Sequence, residues 1–310
     1  MAVGTTQANY PYPITDLPDV VYNFALSTGK DIVFCASDGV TKLKRDIVAY
    51  DKAAKTCEIY VEIPSLSGSA DTVLYIYFHN PDADEANDAV DHSITRRIRV
   101  AANADDCRCW WDSGTSVWNQ DDNVRLQAGY VSATYFKWGA GMRWLAVNIC
   151  KDAQINSAKI TFVARTNLAN NNVNTYFTGE LTGTPSDFSA GLADYQNRRG
   201  TIVGGANDDY ITAAQVAWDA IAAQVTEDVV VSPELKTIVQ EQVNTNAMTN
   251  LAMFWDDHDD RSTHVDNTYR QWRAYNADPA DAALLVLDFT PVLTNYQTIE
   301  LQYIGLGGNW

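Results

Sequence analysis

The stretch TCEIYVEIPSL, residues 56–66, changes side-chain character at a period of two. Ile59, Val61 and Ile63 fall on one face, with Tyr60 and Glu62 opposite. Successive Cβ atoms of a strand point to opposite sides, so this pattern makes an apolar surface only in an extended chain with one face covered. An isolated strand or hairpin is not stable in water, so the neighbouring sequence must pair with it. DIVFCASDGVTKL (31–43), RDIVAYD (45–51) and DTVLYIYFHN (71–80) have the length and residue types to do so. SDG at 37–39 and DKAAK at 51–55 supply the turns of an antiparallel meander. The acidic stretch NPDADEANDAVD, residues 80–91, reads as a linker after it.

The second half has the same grammar. TRRIRVAANADDCRCWWDSG (95–114), GMRWLAVNI (141–149), AKITFVART (158–166), NLAMFW (250–255) and ALLVLDFTPVL (283–293) read as strands. Loops rich in Asn, Gly and Thr separate them, such as NLANNNVN (167–174) and TGELTGTPSD (178–187). One helix stands out in SPELKTIVQEQVNT, 232–245, with Ser232 as N-cap, Pro233 in the first turn and Glu234 complementing the dipole. Leu235, Ile238, Val239 and Val243 form its apolar stripe. TAAQVAWDAIAAQV, 212–225, fits a strand or a helix equally. Sixteen Tyr and nine Trp suit pleated, half-buried surfaces. The expectation is an all-β chain of two β-sandwich, jelly-roll-like modules, with one short amphipathic helix in the second. The modules are placed at 23–92 and 93–290, between an N-terminal arm (1–22) and a C-terminal tail (291–310).

Length and charge limit the function classes. A chain of 310 residues can build two cores. No run of about 18 apolar residues is present, so no membrane span is expected. The first residues lack a basic segment followed by an apolar one, so assembly in a cytoplasm is expected. A net charge of −17 repels phosphate backbones and argues against nucleic acid as a partner.

Candidate chemistry is sparse. The five cysteines, Cys35, Cys57, Cys107, Cys109 and Cys150, form neither an even disulfide framework nor a zinc-ligand spacing, and read as idle thiols. No nucleophile elbow, P-loop or EF-hand spacing accompanies the four histidines, so no catalytic residue is assigned and no enzyme is expected. WDDHDDRSTHVDN, 255–267, carries most of the acid and imidazole character. It follows a strand and reads as a solvated loop, with Asp256, Asp257 and Asp259 as metal candidates and His258 and His264 too far apart for a helical ligand pair. Asp82 and Asp84 in the acidic linker are the other metal candidates, and calcium is the one cofactor left open. Trp110, Trp111 and Trp118, and Tyr269, Trp272 and Tyr275, are the glycan-binding candidates, with packing in a core or between subunits as the alternative.

Two resemblances carry the reading further. Residues 28–80 resemble a concanavalin-like domain of unknown function, number 2341, found in phage and bacterial surface proteins. The matching positions are Asp31, Phe34, Asp38, Gly39, Leu43, Pro64, Tyr75, Tyr77 and Asn80; Phe78 and His79 stand where the family has Tyr-Gly. Residues 104–290 resemble a second, jelly-roll-type module of phage fibres and large microbial surface proteins. They do so through ADD (104–106), GMRWLAVNICKDAQINSAKITFVA (141–164), TAAQVAW (212–218), VVSPELKTIVQEQVN (230–244), NLAMFW and ADAALLVLDF (280–289). Neither resemblance implies a catalytic site. Together they imply a non-enzymatic structural protein on the surface of a tailed-bacteriophage virion, as a capsid decoration or a head or tail fibre component. Its partners would be other virion proteins, further copies of itself and a host surface glycan. The alternative is a carbohydrate-binding adhesin module of a bacterial or viral surface protein.

Overall fold

The structure is a computed structural model and describes residues 7–67, 70–83, 85–122, 124–170, 172–189, 194–200, 211–290 and 300–305. The chain divides into two compact units, residues 1–94 with 291–310, and residues 95–290. Among the described residues no helix is long and apolar enough to cross a membrane.

The first unit contains β1 (Gln7–Ile14), α1 (Asp19–Phe24), β2 (Val33–Cys35), β3 (Arg45–Asp51), β4 (Thr56–Leu66) and β5 (Val73–Phe78). β4 is the alternating stretch, and it lies between β1 and β3 with Ile59, Val61 and Ile63 buried as their spacing requires. Both turns form. The Asp38 carboxylate accepts the Val40 and Thr41 N–H groups, and Asp51 does the same for Ala53 and Ala54. β1 lies within the expected N-terminal arm, yet it pairs antiparallel with β4 of its own unit. Pro11 and Pro13 are tolerated there because β1 is an edge strand. Residues 300–305 likewise belong to a sheet rather than a loose tail. They pair in parallel with β5, whose other edge carries β2.

The expected linker is also structured. Asn87 pairs with both backbone groups of Ile47, and Asp88 accepts the Arg45 N–H at 3.0 Å. The buried Arg45 guanidinium donates to Asn87 and to the carbonyls of Ile32, Lys30 and Glu85. Its polar side chains therefore satisfy the β3 edge and a buried cation, which is why an acidic sequence does not become a free tether.

The second unit contains β6 (Ile94–Arg99), β7 (Asp106–Asp112), β8 (Val117–Asp121), β9 (Arg125–Tyr130), β10 (Tyr135–Trp144), β11 (Gln154–Val163), β12 (Thr175–Gly179), α2 (Asp194–Arg199), β13 (Val216–Trp218), β14 (Val229–Val231), α3 (Lys236–Thr245), β15 (Leu251–Asp256), β16 (Thr268–Arg273) and β17 (Leu284–Thr290). One sheet runs β13-β12-β15-β10-β7-β8, with β9 joined to β10 and β16 to β9. The other runs β14-β11-β17-β6. They pack as a β-sandwich through Phe162 of β11, whose ring lies 5.5 to 6.1 Å from those of Trp218, Trp255 and Trp272. The fold is all-β, as the alternation and turn spacing predict, with three short α-helices among the described residues where one was expected.

α3 begins at Lys236, later than Ser232 predicts. The Ser232 hydroxyl accepts the Ile160 N–H of β11 and so fastens the preceding segment to the sheet instead of capping the helix. The predicted stripe holds: Leu235, Ile238, Val239 and Val243 are all buried.

Every residue of β15 is buried, because the strand is central and covered on both faces. Trp255 points into the sandwich, and its neighbour Phe254 meets Phe188 and Tyr195 on the opposite side. Gly139 and Gly141 of β10 leave room for that second layer. A Cβ on Gly141 would lie 2.5 Å from the Phe188 ring, and one on Gly139 would lie 2.7 Å from the Tyr195 hydroxyl. Gly141→Ala is expected to destabilise the second unit by about 1–3 kcal/mol through overpacking, measured by thermal unfolding; an unchanged transition would contradict this account of the layer.

Candidate functional site

The acidic stretch after β15 is mostly not a solvated loop. Asp256, Asp257 and His258 are buried, each at 1 % exposure or less. Asp256 is the last residue of β15 and faces α2, where the Arg199 Nε donates to Oδ2 at 2.7 Å and the Tyr195 hydroxyl donates to the same oxygen at 3.0 Å. The His258 backbone N–H donates to its other oxygen. Burial alone would raise the Asp256 carboxyl pKa, but the Arg199 charge overrides it and holds the group below the ordinary carboxylate value. Burial pushes the His258 imidazole down to about 4, against the pull of Asp256, so the ring is neutral at pH 7. It packs against Trp118 and Tyr195, with neither ring nitrogen hydrogen-bonded.

Asp257 turns the chain after the strand. Its carboxylate accepts the N–H groups of Arg261 and Ser262, at 2.6 and 3.2 Å. Burial nevertheless pushes its pKa up to about 7, and Asp106, buried beside Asp105 and Asp122, also rises to about 7. Both groups hold a proton more tightly in the folded chain than in the unfolded one. Between about pH 4 and 7 the unfolded state therefore ionises first at these two carboxyls, and their joint contribution to the stability of the second unit falls as pH rises. This outweighs the single opposing contribution of His258, whose lowered pKa adds stability up to about pH 6.5. The melting temperature of the unit is expected to drop by several degrees across that window, at about 2–4 °C per kcal/mol for a unit of this size. Asp106→Asn is expected to flatten the profile; a wild-type profile that rises from pH 4 to 7 would contradict the assignment.

Asp259 is exposed, and His264, also exposed, bonds Asp260 at 2.9 Å. Asp82 is exposed, and Asp84 lies outside the described residues. Among the described residues, no group of three or more His, Cys, Asp or Glu side chains is arranged to hold a metal ion. The metal candidates thus separate, because Asp256 is paired with Arg199 and Asp257 with backbone N–H groups. Cys107 and Cys109 are buried and unbridged, and burial raises both thiols well above their ordinary value.

The aromatic candidates do not form one group. Trp272 is fully buried in the sandwich and cannot meet a glycan. Trp111 and Trp118 face each other across β7 and β8 and pack towards His258, on the α2 side. Tyr275, half-buried, follows β16, and its N–H donates to Asp106. Trp110 is half-buried on the other face of β7, stacked on Trp138 of β10 at 4.6 Å. Arg108, two residues earlier and so on the same face, places its guanidinium carbon 5.3 Å and 5.2 Å from the two indole centroids. Tyr269 of β16 is half-buried and stands within electrostatic reach of Arg125 on β9. The polar members of the face were missed from sequence, although the period of two in CRCWW already places Arg108 beside Trp110.

A family model described as a domain of unknown function (DUF2341) matches residues 28–93. The match covers β2 to β5 of the first unit and the segment that clasps Arg45. No curated protein matches the chain.

Proposed function

We propose that the chain is a non-enzymatic structural protein of a tailed-bacteriophage virion, carried on the particle surface as a capsid decoration or as part of a head or tail fibre. The observation that supports this most is the fate of the acid and imidazole groups in the second unit. The Asp256–Arg199 pair and neutral His258 are buried between a sheet and α2, out of reach of a substrate. The match at residues 28–93 agrees with the resemblance of that stretch to a domain of unknown function, and the virion role is our extension of that resemblance. On this reading the protein is assembled in the host cytoplasm and contacts other virion proteins and further copies of itself. It works without a cofactor, and elemental analysis for calcium checks that part. Gradient-purified particles of the encoding virus should contain the polypeptide by mass spectrometry at a copy number of at least several per particle; its absence would contradict the proposal.

A second reading is favoured by the Trp110 face. A half-exposed indole beside guanidinium donors on a sheet is suited to carbohydrate, so the protein would act as an adhesin, alone or on the particle. A glycan array without a hit would count against it.

A further inference from the structure

We propose that Asn103, Asp106 and Asp122 form a weak calcium site at the start of β7, away from the stretches in which a metal was expected. The role proposed above needs no cation, and the inference goes beyond it: the ion braces β7 and the chain that follows β8.

The chain enters β7 through a single 3-10 turn, Asn103–Asp105, in which the Asp105 N–H donates to the Ala102 carbonyl at 3.0 Å. Such a turn brings the side chains at positions 103 and 106 towards one side. Each of them ends in a buried oxygen without a hydrogen-bond partner, Asn103 Oδ1 and Asp106 Oδ1. Asp106 is fully buried, at 0 % exposure, and its other oxygen accepts the Tyr275 N–H at 2.8 Å. The Asn103 Nδ2 donates to the carboxylate of Asp122, an exposed residue just after β8. Asn276, next to Tyr275, donates to the Asp122 carbonyl at 3.0 Å. Asp106 and Asp122 are therefore joined from one side by Asn103 and from the other by residues 275–276. Their negative charge has no local answer. Arg143 pairs with Asp105, and among the described residues no basic side chain pairs with Asp106 or Asp122. With two carboxylates and an amide, the set differs from the clusters of three His, Cys, Asp or Glu that are absent among the described residues.

Both unpartnered atoms are acceptors, so a cation or a donor satisfies them and an anion does not. A proton on Asp106 answers one oxygen; a divalent ion answers both and balances the two carboxylates together. Oxygen ligands alone select calcium or magnesium over zinc. An amide, a buried carboxylate and an exposed one form an irregular set, which suits the flexible shell of roughly 6–8 ligands around calcium better than the octahedron of magnesium. The ion has a way in: Asp122 is exposed and Asn103 half-buried, with Asp106 as the floor beneath them. Two carboxylates give the weak affinity of extracellular modules, roughly 10⁻⁴–10⁻³ M. Chain prepared without added calcium should therefore still carry none by elemental analysis.

Titration calorimetry and thermal unfolding of the full chain at about pH 7.5, with calcium chloride and separately with magnesium chloride, provide the test. One calcium ion per chain is expected, with magnesium about tenfold weaker or worse. Calcium at about 10 mM should raise the melting temperature of the second unit, because the ion binds the folded chain alone. Asp122→Asn, at an exposed position where no packing is disturbed, should weaken calcium about tenfold or more. Asp106→Asn should do the same, while Asp259→Asn, an exposed aspartate on another loop, should change nothing. No heat and no shift in melting up to about 10 mM calcium would overturn the site. Equal effects of calcium and magnesium that Asp122→Asn leaves unchanged would also overturn it, since they report only screening of a chain with net charge −17. Calcium binding that survives both Asp106→Asn and Asp122→Asn would place the ion elsewhere and overturn the assignment of these residues.

Discussion

Arg199→Met is expected to destabilise the second unit by about 3–5 kcal/mol, because it leaves the Asp256 carboxylate buried without its counter-charge. The Tyr195 hydroxyl and the His258 N–H still donate to it, but neither carries a charge that offsets the loss of water. The sign of the pH dependence sharpens the test. In the wild type the folded carboxyl pKa lies below its unfolded value, so its stabilisation is present above about pH 4 and is lost only as pH falls through the lower folded value. In the variant, burial acts unopposed and pushes the carboxyl up. Stability then falls as pH rises from about 4, so the gap between variant and wild type widens with pH and narrows in acid. Asp256→Leu combined with Arg199→Met removes both charges and should recover much of the loss. Chemical denaturation at pH 4.5 and 8 checks all three; a single-variant loss under about 0.5 kcal/mol at pH 8, the range of an ordinary surface change, would sink the account of this pair.

Trp272→Ala is expected to lose about 3–5 kcal/mol by opening a cavity in the sandwich. Its ring lies 5.5 Å from Phe162, 5.7 Å from Trp255 and 5.9 Å from Trp218, so truncation strips contacts from three rings together. Trp272→Phe should lose much less, since it keeps an aromatic ring and removes an indole N–H that has no hydrogen-bond partner. Trp110→Ala, at a half-exposed ring, should cost less than Trp272→Ala in unfolding while weakening any glycan. If the two alanine variants lose the same stability, the division of the tryptophans into core and face is wrong.

The comparison of Trp110 with Trp272 shows what sequence can carry. Both sit in strand segments rich in aromatics, and the period of two says only that neighbours face opposite ways. Which face is covered depends on elements far away in the chain: α2 and Phe188 on one side of β15, β11 on the other. The alternation in β4 was legible because its meander supplies nearby partners, β3 and residues 7–14. The solvated loop after Trp255 was misread because Arg199, which pairs with Asp256, precedes it by 57 residues and carries no local signal. The acidic stretch at 80–91 misled in the same way, since Asn87 and Asp88 bond strand residues about 40 positions earlier. At the start of α3, Ser232 fits the capping pattern, but a β11 backbone N–H takes its hydroxyl first. Apolar stripes and turns are local and survive; polar residues bind whatever the fold brings to them.

The central claim, a structural component exposed on a phage particle, is tested most directly by a reconstruction of the intact virion of the encoding phage. The account predicts density on the outer surface of the head or tail that fits both units, the β-sandwich of residues 95–290 and the smaller unit built around β4. A complete reconstruction, with every surface feature assigned to other polypeptides, would contradict it.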